Sequence, residues 1–335
     1  MDSVRERTVN SAGNRTLDAI DKNSIVSKSG VSYRKFKADL KPRFKTIWLQ
    51  LFSGHLTLVA IAVLIFLAEK NLSVFWLIPV TAAAAVGIGY VIAYIVLFFH
   101  EAAHFNLART RKNNDLLANL AIGCFLGQNI KEYRIVHFDH HRFLGQPNDT
   151  ENTYFDPLNA RFIAELLLGI KPLKVILKRK KFLDVAENKG KSDKKSFFNI
   201  YLIFGIFFHI GILSLGLIAG SWSFVFAWIA GVGIFFPLFS ALRQLLEHRD
   251  EKADANVDYT KTPHGAATKM FGSNPFAATF GGAGFNHHLL HHWDPQISCS
   301  NLHEVKEFLL ETEAGEIIKK SQTGYVKTFV RLFNN

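Results

Sequence analysis

The chain has 335 residues, 49% of them hydrophobic and 31 of them phenylalanine, and carries a net charge of +11. Length alone would allow two soluble domains, but the apolar residues are too concentrated for that. No nucleic-acid-binding module accompanies the positive charge, and in a membrane protein such charge reflects lysines and arginines facing the cytoplasm, so nucleic acid is not expected as a partner.

Residues 1–45 form a polar, basic tail, with residues 1–30 expected to be disordered. No apolar core precedes a small-residue cleavage site, so no secretory signal is expected. Residues 46–335 read as one membrane domain. No Asp, Glu, Lys or Arg occurs from Asn71 to Phe99 or from Ser196 to Leu242, as a bilayer span of about 20 residues requires. Four spans are predicted, at about 46–68, 72–99, 198–220 and 222–246. Glu69, Lys70 and Asn71 separate the first two, while Gly220 and Ser221 break the second pair before an interfacial Trp222. The predicted fold is therefore all-α and integral to the membrane, with four transmembrane helices in two hairpins.

The apolar run Leu116–Ile130 is short for a span and reads as an interfacial or protein-buried helix. Basic residues crowd the tail (Arg34, Lys35, Lys37, Lys41, Arg43, Lys45) and the central loop ("KPLKVILKRKK", "KGKSDKK"), whereas the two short turns hold only Lys70. The positive-inside rule then puts both termini and the central loop in the cytoplasm. The stretch "LHEVKEFLLETEAGEIIKK" near the end has helical period and reads as a cytosolic surface helix. Cys124 and Cys299, far apart, make no disulfide framework and suit an intracellular redox environment.

The histidines are clustered. "HEAAH" places His100 and His104 four apart at the end of the second span, on one helix face. Alone this pair is weak, and a zinc-protease H-E-x-x-H is a rival reading. "HFDHH" gives His137, His140 and His141, which fall within an arc of about 100° on a helix. "HLLHH" repeats that spacing with His288, His291 and His292. "RQLLEH" closes the fourth span with Arg243, Gln244, Glu247 and His248, and polar groups there default to a functional hypothesis. Orientation rests on lysines and arginines, yet every cluster lands on the same membrane face, so a cytosolic histidine cap is expected. His287 could face the same side as its neighbours on a continuous helix. His55 and His209 read as packing or hydrogen-bonding residues, His264 and His303 lack partner spacing, and Gly281–Gly284 reads as a flexible approach to the third cluster.

The order HEAAH, HFDHH, a span, EH, then NHHLLHH resembles the membrane fatty acid desaturase superfamily from about Thr46 to Leu302. "RIVHFDHHRFLGQPNDTE" and Asn286 before the third box are also similar to that family. The resemblance implies two irons, with O2 as co-substrate, held by His100, His104, His137, His140, His141, His248, His288, His291 and His292. His287 falls where the family has a non-ligand, and Gln244 where some members hold a water with Asn. Neutral imidazoles need acceptors behind them; Glu101, Asp139, Asp149, Glu151, Glu247 and Asp294 are candidates, with Gln244, Glu247, Asp139 and Asn286 the preferred outer residues.

The implied activity is O2-dependent desaturation of an acyl chain in a membrane lipid or related acyl substrate. The alternatives are a hydroxylase or carotenoid ketolase on the same site, or a non-catalytic metal-binding membrane protein. The chain holds no CxxC, Rossmann motif or fused haem domain, so a separate ferredoxin-like or cytochrome b5-like electron donor is implied. The basic segment around Lys178–Lys181 could dock an acidic partner or, as favoured here, anionic lipid headgroups.

Overall fold

A computed structural model of the protein describes residues 16–174, 177, 200–265 and 268–334. The basic segment Lys178–Lys181 lies outside the described residues. Helices dominate. Extended structure among the described residues amounts to a parallel pair, Met270–Phe271 with Gln322–Thr323, and one bridge between Val26 and Ser32.

Four helices are long and apolar enough to cross a membrane: Phe44–Asn71, Val74–Ala103, Ile200–Ile218 and Trp222–His248. The first runs beyond residue 68 through Glu69 and Lys70, and the second runs beyond 99 to Ala103. Composition marks the edge of an apolar stretch, whereas backbone hydrogen bonding carries a helix past it. A π-turn at Gly231–Phe235 interrupts the fourth.

The chain clusters into two compact units. One, the span unit, comprises Ile47–His137 and Ala160–Leu242; the other, the box unit, comprises Met1–Thr46, Phe138–Asn159 and Arg243–Asn335. In the span unit the first span is largely exposed, with Leu49, Phe52, Leu56, Val59 and Val63 uncovered. The second is buried along its latter half, from Ala85 and Ile88 through Phe98 and Phe99 to Ala103. Its partner is the fourth span: a Cβ on Gly89 would stand 2.3 Å from that of Phe235. Such close backbone approach through small residues is how helices associate where the surroundings are as apolar as the side chains.

The short apolar run also belongs to the span unit. Helix Arg111–Ala118 passes through a π-turn at Asn119–Gly123 into Cys124–Leu126 and stops at left-handed Gly127. Ala118, Ile122, Cys124 and Phe125 are buried while Leu116 and Leu120 are exposed, so one face of the segment packs on protein and the other stays uncovered. His55 and His209 pack here too. The His55 nitrogens approach the carbonyls of Leu51 (2.9 Å) and Ala121 (3.0 Å), and His209 accepts from Trp228 Nε1 at 3.2 Å.

In the box unit two expectations fail. Residues 16–30 are not disordered: Leu17, Ile20 and Ile25 are fully packed, and Ile25 O accepts from Tyr33 N at 2.9 Å. The single C-terminal helix is two, Leu302–Leu310 and Gly315–Lys320, followed by Tyr325–Phe333. Thr312 makes the break: its hydroxyl donates to Leu309 O (2.8 Å) and accepts from Ala314 N (3.1 Å), an alternative to helical bonding.

Candidate metal centre

In the span unit, the i, i+4 spacing brings His100 and His104 to one face at the end of the second span, and His137 joins them. Their ligating nitrogens lie within 4.8 Å of one another, with His104 Nε2 2.9 Å from His137 Nε2. The chain turns at once after His104, with Phe105 in the left-handed region (φ +64°), unusual for a bulky residue. The Arg134 guanidinium lies 3.9 Å from the centre of the Phe105 ring.

Arg134 also explains why His137 meets the first box. It donates to Ala103 O (2.8 Å) and Ala102 O (3.1 Å) and pairs with Asp115 at 2.5 Å. Those carbonyls belong to the last turn of the second span and need such partners. Arg134 precedes His137 by three residues, so the same contact sets one turn of the second-box helix, Ile130–Phe143, against the first box. Asn114, fully buried, completes the corner by bonding Leu107 N and Ala102 O, each at 2.9 Å. Burial, then the Arg134 charge, lowers the His104 pKa to about 3, so the ring is neutral and offers a lone pair.

In the box unit, His140, His248 and His292 place ligating nitrogens within 4.8 Å of one another. His288 Nε2 is 2.9 Å from His248 Nε2, and His291 Nε2 is 3.1 Å from His141 Nε2. His140, His248, His288 and His291 are each 2% exposed. So much imidazole is rarely removed from water without a ligand or bonded partners.

The third box is carried on a short helix, His288–Trp293, entered through a 3-10 turn at Phe285–His287. Gly281–Gly284 is not a flexible approach. A Cβ on Gly281 would lie 2.5 Å from Tyr325 Oη, and the segment is packed. His287 has φ −108° and ψ 36°, off the helix, so its position cannot be extrapolated from helical geometry. Its Nδ1 lies 3.1 Å from Asn286 Oδ1; neither it nor His288 falls in a histidine group among the described residues, but His288 alone of the two meets another box histidine, His248.

Behind the ligating faces stand other groups. His140 Nδ1 is 2.8 Å from Asp149 Oδ1, and Tyr154 donates to Asp149 Oδ2 at 2.5 Å. Burial pulls the His140 pKa down, but the Asp149 carboxylate outweighs it and the result lies above the ordinary value. Glu247 differs: its Oε2 is 3.8 Å from His288 Nε2, the nitrogen that also meets His248, and its Oε1 accepts from Tyr325 at 3.0 Å. Of the other preferred outer residues, Gln244 donates to Glu151 (3.2 Å), and Asn286 touches His287. Among the described residues, the half-buried Asp139 carboxylate has no hydrogen bond or ion pair. Arg134, Asn114, Tyr154 and Tyr325 carry no spacing signal and were not legible as site residues.

The donor set fits a transition metal. His248 Nδ1 and His292 Nε2 are buried with no hydrogen-bond partner among the described residues. A lone pair directed at a cation relieves that cost, and imidazole suits iron, zinc and copper alike. The Fatty acid desaturase family model matches residues 75–319. No curated protein matches the chain.

Proposed function

Starting from the chain's membership of the fatty acid desaturase family, an oxidoreductase family, we propose that it is an O2-dependent acyl-lipid desaturase with two irons bound by nine histidines. The ligands are His100, His104 and His137 from the span unit with His140, His141, His248, His288, His291 and His292 from the box unit. The observation that carries this reading is the convergence of His140, His248 and His292, the first two of them buried.

An unactivated methylene has no acidic proton, so acid–base chemistry cannot open it; bound iron supplies redox chemistry with O2 that can. The chain's own residues do the rest. Asp149 fixes the His140 ring by accepting a hydrogen bond from its Nδ1–H, leaving Nε2 for metal. Arg134 holds His137 against the first box, and Tyr325 fixes the Glu247 carboxylate beside His288. Phe98 and Phe99, fully buried before His100, keep water from the span-unit side of that box.

The four spans form two hairpins, with both termini and the histidines on the cytoplasmic side. A separate ferredoxin-like or cytochrome b5-like protein delivers electrons. Expression in a host of simple fatty-acid profile, with mass spectrometry of total lipids, tests the reading. A product two hydrogens lighter supports desaturation. A product with an added oxygen identifies a hydroxylase or ketolase on the same site.

A further inference from the structure

The family match begins at residue 75, yet the segment before the first span is knitted into the box unit. Its contacts gather on Asp294, directly after the third-box helix. Asp294 is 3% exposed and its N–H still donates to Leu290 O at 2.9 Å, so its carboxylate moves with that helix. Tyr33 donates to Oδ2 at 2.9 Å, and Lys37 Nζ bridges both oxygens at 2.9 and 2.8 Å. Lys22 donates to Trp293 O and lies 3.9 Å from the same carboxylate. The Tyr33 and Trp293 rings pack at 4.9 Å.

A carboxylate at a helix C-terminus faces the unfavourable end of the peptide dipoles, and a buried one is costly unless paired. Here the compensation comes from sequence more than 250 residues away, as the Lys37–Asp294 separation of 257 shows. Single removal of Lys37 leaves charge buried without its main partner, whereas neutralising Asp294 as well removes the need for one.

We propose that Lys22, Tyr33 and Lys37 form a positioning clamp that, through Asp294 and the Trp293 carbonyl, sets the register of His288, His291 and His292 toward metal. The clamp rests on the metal reading given above. None of its residues touches substrate; they act through the box helix.

The test uses the full, iron-loaded chain in detergent, comparing Lys37→Met, Tyr33→Phe, Asp294→Asn and the double variant Lys37→Met/Asp294→Asn. Two quantities are read: the rate of iron loss to a chelator, and kcat and KM for the acyl substrate. Lys37→Met should lose iron about tenfold faster and lower kcat with KM unchanged, the scale typical of outer groups at metal sites. Tyr33→Phe should shift both the same way by less, and the double variant should recover toward wild type. Wild-type iron retention and kcat in both Lys37→Met and Tyr33→Phe would overturn the clamp. So would a loss without recovery in the double variant, with thermal stability falling in step, which marks a merely structural role. A wild-type chain that holds no iron would overturn the metal reading itself, and the clamp with it.

Discussion

An imidazole presents one nitrogen to a metal dependably only if the other is held, and in this chain Asp149 holds Nδ1 of His140. Asp149 accepts from His140, from Tyr154 Oη and from Glu151 N (2.9 Å), while Tyr154 Oη accepts from Gly145 N at 2.7 Å. Tyr154→Phe keeps the buried ring and removes one donor to the carboxylate. Metal affinity or turnover should fall by about 10-fold to 100-fold, read by chelator competition. At the third box, His288→Ala should abolish product formation and His287→Ala should leave substantial activity; the reverse result would mean that the box is misregistered. The boxes were legible because i, i+3 and i+4 spacing is itself a geometric statement. Asp149 was legible only as one of six nearby carboxylates. Tyr154 was not legible at all, because it reaches its partner through a loop with no period.

Helix ends show where local sequence stops being informative. The fourth span closes at His248, and its last carbonyls are met by Lys269, which donates to Leu246 O (3.1 Å) and Arg249 O (2.6 Å). Burial lowers the Lys269 pKa from 10.5 to about 8. The folded chain then binds fewer protons than the unfolded chain between about pH 8 and 10.5, so stability rises with pH across that window. Wild type should gain stability relative to Lys269→Met over that range in thermal unfolding, and parallel curves would contradict the assignment. No motif announces this contact across twenty residues. The same limit explains the misread tail: Leu17, Ile20 and Ile25 lie in a short, mostly polar stretch and become core only when the box unit supplies their partners. The four spans were legible because apolar length is a local property, though their ends shifted where Glu69 and Lys70 continue the helix.

For the whole molecule, the fatty acid desaturase family and four apolar helices make a membrane protein, and the charge distribution proposes its orientation. Tags at the two ends should be protected together or exposed together in sealed vesicles, with the turn at Lys70 on the opposite side. Opposite protection of the two ends would break the proposed four-span topology. The proposed function has nine histidines holding two irons that desaturate an acyl chain. It is tested most directly by mass spectrometry of total lipids from a simple host expressing wild type beside His288→Ala. Wild type alone should yield acyl chains lighter by two hydrogens, with no oxygen added. An unchanged lipid profile in active, iron-replete cells, or a profile shared by the variant, would contradict it.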